Sequence, residues 1–98
     1  MPKQPCVYML ANRRNGTIYI GVTSDLIKRV FEHRSDSAPG FTQRYRVHAL
    51  VWYELHQQMN RAILREKQLK KWARNAKVRL IESMNSSWAD LWPELTHA

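Results

Sequence analysis

The apolar positions change period along the chain. Residues 6–11, Cys-Val-Tyr-Met-Leu-Ala, form an unbroken run of β-branched, aromatic and apolar side chains, which predicts a short strand. The run ends at Asn12 to Gly16, where Asn15-Gly16 favours a tight turn, and Thr17 to Gly21 reads as the returning strand of a hairpin. From Leu26 the period lengthens. Leu26, Ile27, Val30 and Phe31 make an apolar stripe at helical spacing that stops near Ser35. Thr23 or Ser24 can cap this helix, with Asp25 in a first turn whose dipole favours negative charge. Arg29 and His33, four residues apart, share an adjoining face.

Ser35 to Arg46 holds Pro39, Gly40 and several basic residues and reads as a loop able to touch a ligand. Val47 to Glu54 returns to a β-rich run and predicts a third strand. The longest helix is expected from about Gln57 to Ala73, with Ala62, Leu69, Trp72 and Ala73 on its core face, and a further helix over Lys77 to Met84. In the tail, Ser87-x-x-Asp90 has the form of a capping box, and Trp88, Leu91, Trp92 and Leu95 repeat at helical spacing. The prediction is one α/β domain, an α+β sandwich over residues 1–98. It has a small three-stranded antiparallel or mixed sheet in ββαβα order, flanked by helices, a core over about 5–84 and a helical tail over 85–98. A right-handed crossover from strand two to strand three suits the sheet order 2-1-3.

Composition adds a partner class. Sixteen Lys and Arg stand against eight Asp and Glu, a net charge of +8, and such a field either attracts a polyanion or simply solvates the surface. Cys6 is the single cysteine, which excludes an intrachain disulfide and a thiolate zinc cluster and reads as a small buried hydrophobe. The start of the chain has no extended apolar region and there is no apolar span near about 20 residues, so the expected setting is the cytoplasm, with no membrane partner.

Three features carry candidate chemistry. Glu66 lies four after Ala62 and three before Leu69, inside the apolar stripe of the long helix. A carboxylate there is costly unless paired, so it is either a rim group bonded to Lys70 or a ligand for a hard divalent ion. Tyr8 and Tyr19 lie on paired strands and are either a core pair or two phenols aimed into one site. A phenol, with an unperturbed pKa of about 10, needs a neighbouring cation or a second proton acceptor to act as a base near neutrality. Arg29 can grip a phosphate and His33 can take or relay a proton, although an exposed helix face explains the same pair.

The order and spacing of these residues resemble the GIY-YIG nuclease domain. Cys6-Val7-Tyr8 stands in the place of Gly-Ile-Tyr and Tyr19-Ile20-Gly21 in that of Tyr-Ile-Gly, the tyrosines eleven residues apart. The likeness continues through Gly21-Val22-Thr23-Ser24-Asp25-Leu26, Arg29, His33, Phe41-Thr42 and Leu50-Val51-Trp52-Tyr53-Glu54. It closes with Arg65 to Trp72 and Asn85 to Leu91, and is nearest to the short stand-alone bacterial branch. Cys6 departs from the motif's glycine, and the family's metal-proximal asparagine has no secure match, Asn75 and Asn85 both being candidates.

The resemblance implies a metal-dependent endonuclease acting on DNA or RNA, with DNA the expected substrate and repair or recombination the expected setting. Carried over by position, Tyr8 and Tyr19 lie at the nucleophilic water, Arg29 on the scissile phosphate, His33 beside the tyrosines and Glu66 on one Mg2+ or Mn2+ ion. Tyr8 is the favoured base, Tyr19 the other candidate. Lys28, Arg44, Arg65, Lys70 and Lys71 are the cations expected to meet the nucleic-acid backbone. Two rival readings are a binding module that keeps the fold without turnover, and an interaction protein that uses the Trp88 to Leu95 stripe. Packing of that stripe on its own sheet is the favoured arrangement. The expected assembly is a monomer or weak homodimer.

Overall fold

A computed structural model describes residues 3–35, 40 and 44–96. Strands β1 (Cys6–Ala11) and β2 (Ile18–Thr23) form the expected hairpin, followed by helix α1 (Leu26–Arg34) and strand β3 (Ala49–Leu55). Helices α2 (Met59–Lys70), α3 (Arg74–Met84) and α4 (Trp92–Thr96) complete the order. The sheet runs β2-β1-β3 with both pairings antiparallel, as the crossover rule predicts for the order and as an antiparallel rather than a mixed sheet.

The central strand is buried on both faces, which explains why its apolar run is continuous rather than alternating. One face carries Val7, Met9 and Ala11 against Ala62, Leu69 and Ile81 of α2 and α3. The other carries Cys6, Tyr8 and Leu10 against Leu26 and Val30 of α1. Each of the Val, Leu, Ile and Met side chains among these, taken fully from water, contributes roughly 1.5–3 kcal/mol.

Local chemistry moved several boundaries from the expected ones. Asp25, rather than Thr23 or Ser24, is the N-cap of α1: its carboxylate accepts from the Lys28 N–H at 3.2 Å, while Thr23 Oγ1 accepts from the Asp25 N–H at 3.0 Å. The long helix ends at Lys70, and Trp72 and Ala73 are exposed instead of facing the core. No glycine or proline marks this break. Its cause is tertiary: Leu69 and Ile81 must reach the same core cluster, and Arg74 donates to the carbonyls of Asn15 and Gly16 in the β1–β2 turn, both at 2.7 Å, which pins the start of α3.

The tail is helical only over Trp92–Thr96. Trp88 has a left-handed backbone, φ 59°, and packs on the α2 and α3 side of the sheet, whereas Leu91 packs on the α1 side. The apparent stripe is therefore divided between two cores by a chain that wraps the sheet edge. The capping residue is Asp90, whose Oδ1 accepts from the N–H groups of Trp92 at 3.0 Å and Leu50 at 3.2 Å; Ser87 takes no part in the capping bonds described. Leu91 donates to the Leu50 carbonyl at 2.8 Å, so the tail covers part of the β3 edge. Arg34 of α1 pairs with Asp90 as well, tying the tail to the helix that bears Arg29 and His33.

Candidate active site

Strand alternation and register bring the two tyrosines together. Tyr8 pairs with Gly21, and Tyr19 pairs with Leu10, so the phenols lie on one face one diagonal step apart, with ring centroids separated by 6.2 Å. Gly21 leaves the space that Tyr8 occupies. A β-carbon on Gly21 would lie 2.5 Å from Tyr8 Cζ and 2.9 Å from Cε1, and closer still to the hydroxyl. Gly21→Ala is accordingly expected to displace the buried phenol and to lower stability by about 1–3 kcal/mol, the usual range for overpacking. Denaturant unfolding checks this; an unchanged stability would contradict it.

Helix α1 completes the cluster from above the same face. His33 Nε2 lies 3.0 Å from the Tyr8 hydroxyl, and its ring centroid is 5.3 Å from that of Tyr19. Tyr8 and His33 are almost wholly buried, at 1% and 2% exposure, while Tyr19 is half-buried. Burial pushes the Tyr8 phenol well above its usual range; the Tyr19 phenol adds to the rise and the Arg29 guanidinium opposes it. Burial also pushes the His33 imidazole down to about 4, with the Arg29 charge acting in the same direction, Glu32 acting against it and His48 adding to it. Hydrogen bonding to Tyr8 in turn raises Arg29, which also pairs with Glu32 at 3.3 Å. The resting site at neutral pH is thus a neutral phenol on a neutral imidazole beside a fixed cation.

A pH dependence follows from His33. Its folded pKa, about 4, lies below the unfolded value of about 6.5. Between those values the unfolded chain binds a proton that the folded chain refuses, so this contribution is complete above about pH 6.5 and is lost as the pH falls toward about 4. At pH 5 the cost is on the order of 2 kcal/mol, and His33→Gln is expected to flatten that part of the stability profile. Urea unfolding of both proteins at pH 7.5 and 5 tests it; parallel profiles would contradict it.

Glu66 is placed differently. It projects from α2, the helix that covers the other face of the sheet, with its side chain 13% exposed, and it pairs with Lys70 at 3.1 Å. Lys70 reaches the edge of the ring cluster, because a cleft of about 250 Å³ is lined by Ile18, Tyr19, Ile20, Lys70 and Lys77. Among the described residues no group of three or more His, Cys, Asp or Glu gathers as a cage for a metal. One carboxylate nonetheless fits a magnesium-like ion, which takes hard oxygen ligands and keeps waters and phosphate oxygens in its other positions. Asn85 does not join such a set: its amide donates to the Val51 and Ala89 carbonyls at 3.1 and 2.7 Å and accepts from the Ala89 N–H at 3.0 Å, holding the turn after α3. Asn75 is exposed at the start of α3.

The expected backbone-binding cations divide. Lys28 lines a second cleft of about 250 Å³ with Lys3, Thr23, Ser24, Asp25, Arg29 and Glu32, beside the Arg29 end of the cluster. Arg44 is exposed, 5.6 Å over the Tyr45 ring, and Lys71 is exposed at the end of α2. Arg65 is engaged elsewhere, with Glu54 at 3.0 and 3.4 Å and over Trp72 at 5.3 Å. Phe41-Thr42, part of the family likeness, lies outside the described residues. Sequence reasoning missed Lys77, Glu32 and His48, whose nearness to the site depends on α3, on helical phase and on the approach to β3, with no motif to announce it.

Comparison with known proteins bears on the family and the fold. The sequence profile of the GIY-YIG catalytic domain matches residues 4–79. A UPF0213 protein of Bacillus pumilus is 30% identical over 84 residues, 86% of each chain. Another, from Staphylococcus saprophyticus, is 29% identical over 68 residues, 69% of this chain and 83% of that one. The solution NMR structure of a UPF0213 protein from Bacillus halodurans superposes with a TM-score of 0.56 at 22% identity, covering 97% of this chain and 99% of that one, a likeness of fold.

Proposed function

The chain belongs to the GIY-YIG catalytic-domain family, a family of nucleases, and on that footing we propose that it is a divalent-metal-dependent endonuclease that hydrolyses DNA phosphodiester bonds. The observation that carries the proposal is the buried Tyr8–His33 hydrogen bond at 3.0 Å, with Tyr19 packed on both rings and Arg29 acting on the Tyr8 phenol. A buried core tyrosine also needs a partner for its hydroxyl; what supports the reading is that here the partner is a group able to take a proton, with a second phenol and a guanidinium beside it.

In the proposed reaction Arg29 holds the scissile phosphate, and the half-buried Tyr19 positions the attacking water. Tyr8 takes the water's proton as its own passes to His33 Nε2, so hydroxide attacks phosphorus and the imidazole ends protonated. Burial, the main cause of the low basicity of His33 at rest, opposes this transfer; a phosphate on Arg29 cancels part of the smaller contribution, the guanidinium charge, and so raises the basicity of the imidazole when substrate is bound. Glu66 would hold one Mg2+ or Mn2+, which when bound supplies positive charge for the departing oxygen. Lys28, Arg44, Lys70 and Lys71 would meet flanking phosphates, and Arg65 only if Glu54 releases it. Among the described residues no helix is long and apolar enough to cross a membrane.

The test is incubation of the purified chain with labelled single-stranded, duplex, flapped and branched DNA in magnesium, manganese or EDTA. Cleavage in metal and none in EDTA is the expected outcome. Salt-dependent binding without cleavage in either metal would put the non-catalytic binding module in its place.

A further inference from the structure

The cleft beside Tyr19 extends past the groups of the proposed reaction to Ile18, Ile20 and Lys77. Its wall is formed by Ile18, Tyr19 and Ile20, three consecutive residues of β2. Successive strand residues point to opposite faces, so a cleft that touches all three must run along the edge of the strand. β2 is an outer strand of the sheet, and an outer strand presents a row of peptide donors and acceptors away from its partner. Across from this wall stand two cations, Lys70 at the end of α2 and Lys77 in α3, with the Lys77 ammonium 3.5 Å from the Lys70 carbonyl. The cleft thus offers an apolar and aromatic wall, an edge of peptide groups and two ammonium groups, adjoining the residue proposed to hold the attacking water.

Resting on the nuclease reading above, we propose that this cleft holds one unpaired nucleotide of the DNA strand next to the scissile phosphate. The flat base lies against Ile18, Tyr19 and Ile20, its polar edge meets the peptide groups of β2, and its phosphate is held by Lys77 and Lys70. Each requirement excludes a simpler occupant. A phosphate alone has no use for the apolar wall, an apolar peptide has none for two lysines, and a stacked, paired base in a duplex cannot enter. The site therefore selects DNA with an unpaired nucleotide at the cleavage position, such as a flap or single strand, and it does so by stacking that tolerates any base. Lys70 also pairs with Glu66 and would be released for the phosphate if that carboxylate held a metal; without metal the contact falls to Lys77.

The test is fluorescence anisotropy in EDTA with three DNAs: a blunt duplex, the same duplex with a single-stranded flap, and that flap with abasic sites in place of its bases. Wild type is expected to bind the flap about tenfold tighter than the blunt duplex, from one stacked base, and to lose that preference with the abasic flap. Lys77→Gln is expected to weaken flap binding with the loss confined to the flapped DNA. Equal binding of blunt and flapped DNA would overturn the inference, as would full affinity for the abasic flap, which would mean that only phosphates are held. An equal loss on every DNA in Lys77→Gln would overturn it too. The abasic comparison needs no variant, so it stands even if Lys77→Gln fails to fold. Cleavage of the same DNAs in magnesium is read separately: cleavage without flap preference removes the subsite and leaves the nuclease, whereas flap preference without cleavage in any metal leaves the subsite and removes the nuclease.

Discussion

Tyr8→Phe is expected to lower DNA cleavage by about 10²–10⁴-fold, the usual contribution of a positioned proton-transfer group, while leaving the fold in place. The substitution removes one oxygen. The ring still fills the space over Gly21 and still packs on Tyr19, so the core that includes Leu10, Leu26 and Val30 is retained. What is lost is the hydroxyl 3.0 Å from His33 Nε2 and its interaction with Arg29. Taking the phenol from a buried imidazole nitrogen costs about 1–3 kcal/mol, visible in denaturant unfolding but short of abolishing a folded state. The paired readout separates a chemical role from a structural one. A core tyrosine would show the stability loss alone, and full cleavage by a folded Tyr8→Phe protein would remove Tyr8 from the chemistry.

Glu66→Gln is expected to separate the two readouts further, with a large effect on cleavage and almost none on stability. Glutamine has the shape of glutamate without its charge. The ion pair it breaks, with a Lys70 side chain that is 54% exposed, is worth little, about 0–1 kcal/mol. A metal ion's charge at the departing oxygen is worth several kcal/mol, and each 1.4 kcal/mol is tenfold, so loss of the ion should cost at least about 100-fold. Removing the negative charge should if anything strengthen DNA binding, because Lys70 is released. Weaker DNA binding by the variant would point to a structural role for the pair.

Much of the fold was legible because its signals are local. The 6–11 run, Asn15-Gly16 and the Leu26 to Phe31 stripe each state an element, and the sheet order follows from short connections and handedness. The site was legible for a different reason: an eleven-residue spacing across a tight turn lets two phenols share a sheet face when the strand register agrees, as it does with Tyr8 opposite Gly21, and the four-residue spacing of Arg29 and His33 places them on one helix face. The reason for Gly21 was not legible, since only the Tyr8–Gly21 pairing reveals that the phenol lies over its α-carbon.

What sequence reasoning misjudged depends on distant partners. The end of α2 at Lys70 is set by Arg74 reaching the β1–β2 turn 58 residues earlier in sequence, which no helix propensity reports. Trp88 and Leu91 obey a helical spacing by coincidence of a wrapped chain, divided between two cores by the turn that Asn85 holds. Arg65, one of eight residues in an unbroken polar-rich block that resembles the family, appears free in sequence and is held by Glu54 from the adjacent strand. Lys77 reaches the Tyr19 cleft only because α3 turns back after α2.

Whether this fold cuts DNA with a metal held at Glu66 is decided by comparing wild type with Glu66→Gln on labelled DNA in magnesium, manganese and EDTA, resolved on a denaturing gel beside a binding assay. Wild type is expected to cleave only with metal, the variant to lose cleavage, and both to bind DNA undiminished. Equal metal-dependent cleavage by the two proteins would remove Glu66 from the reaction.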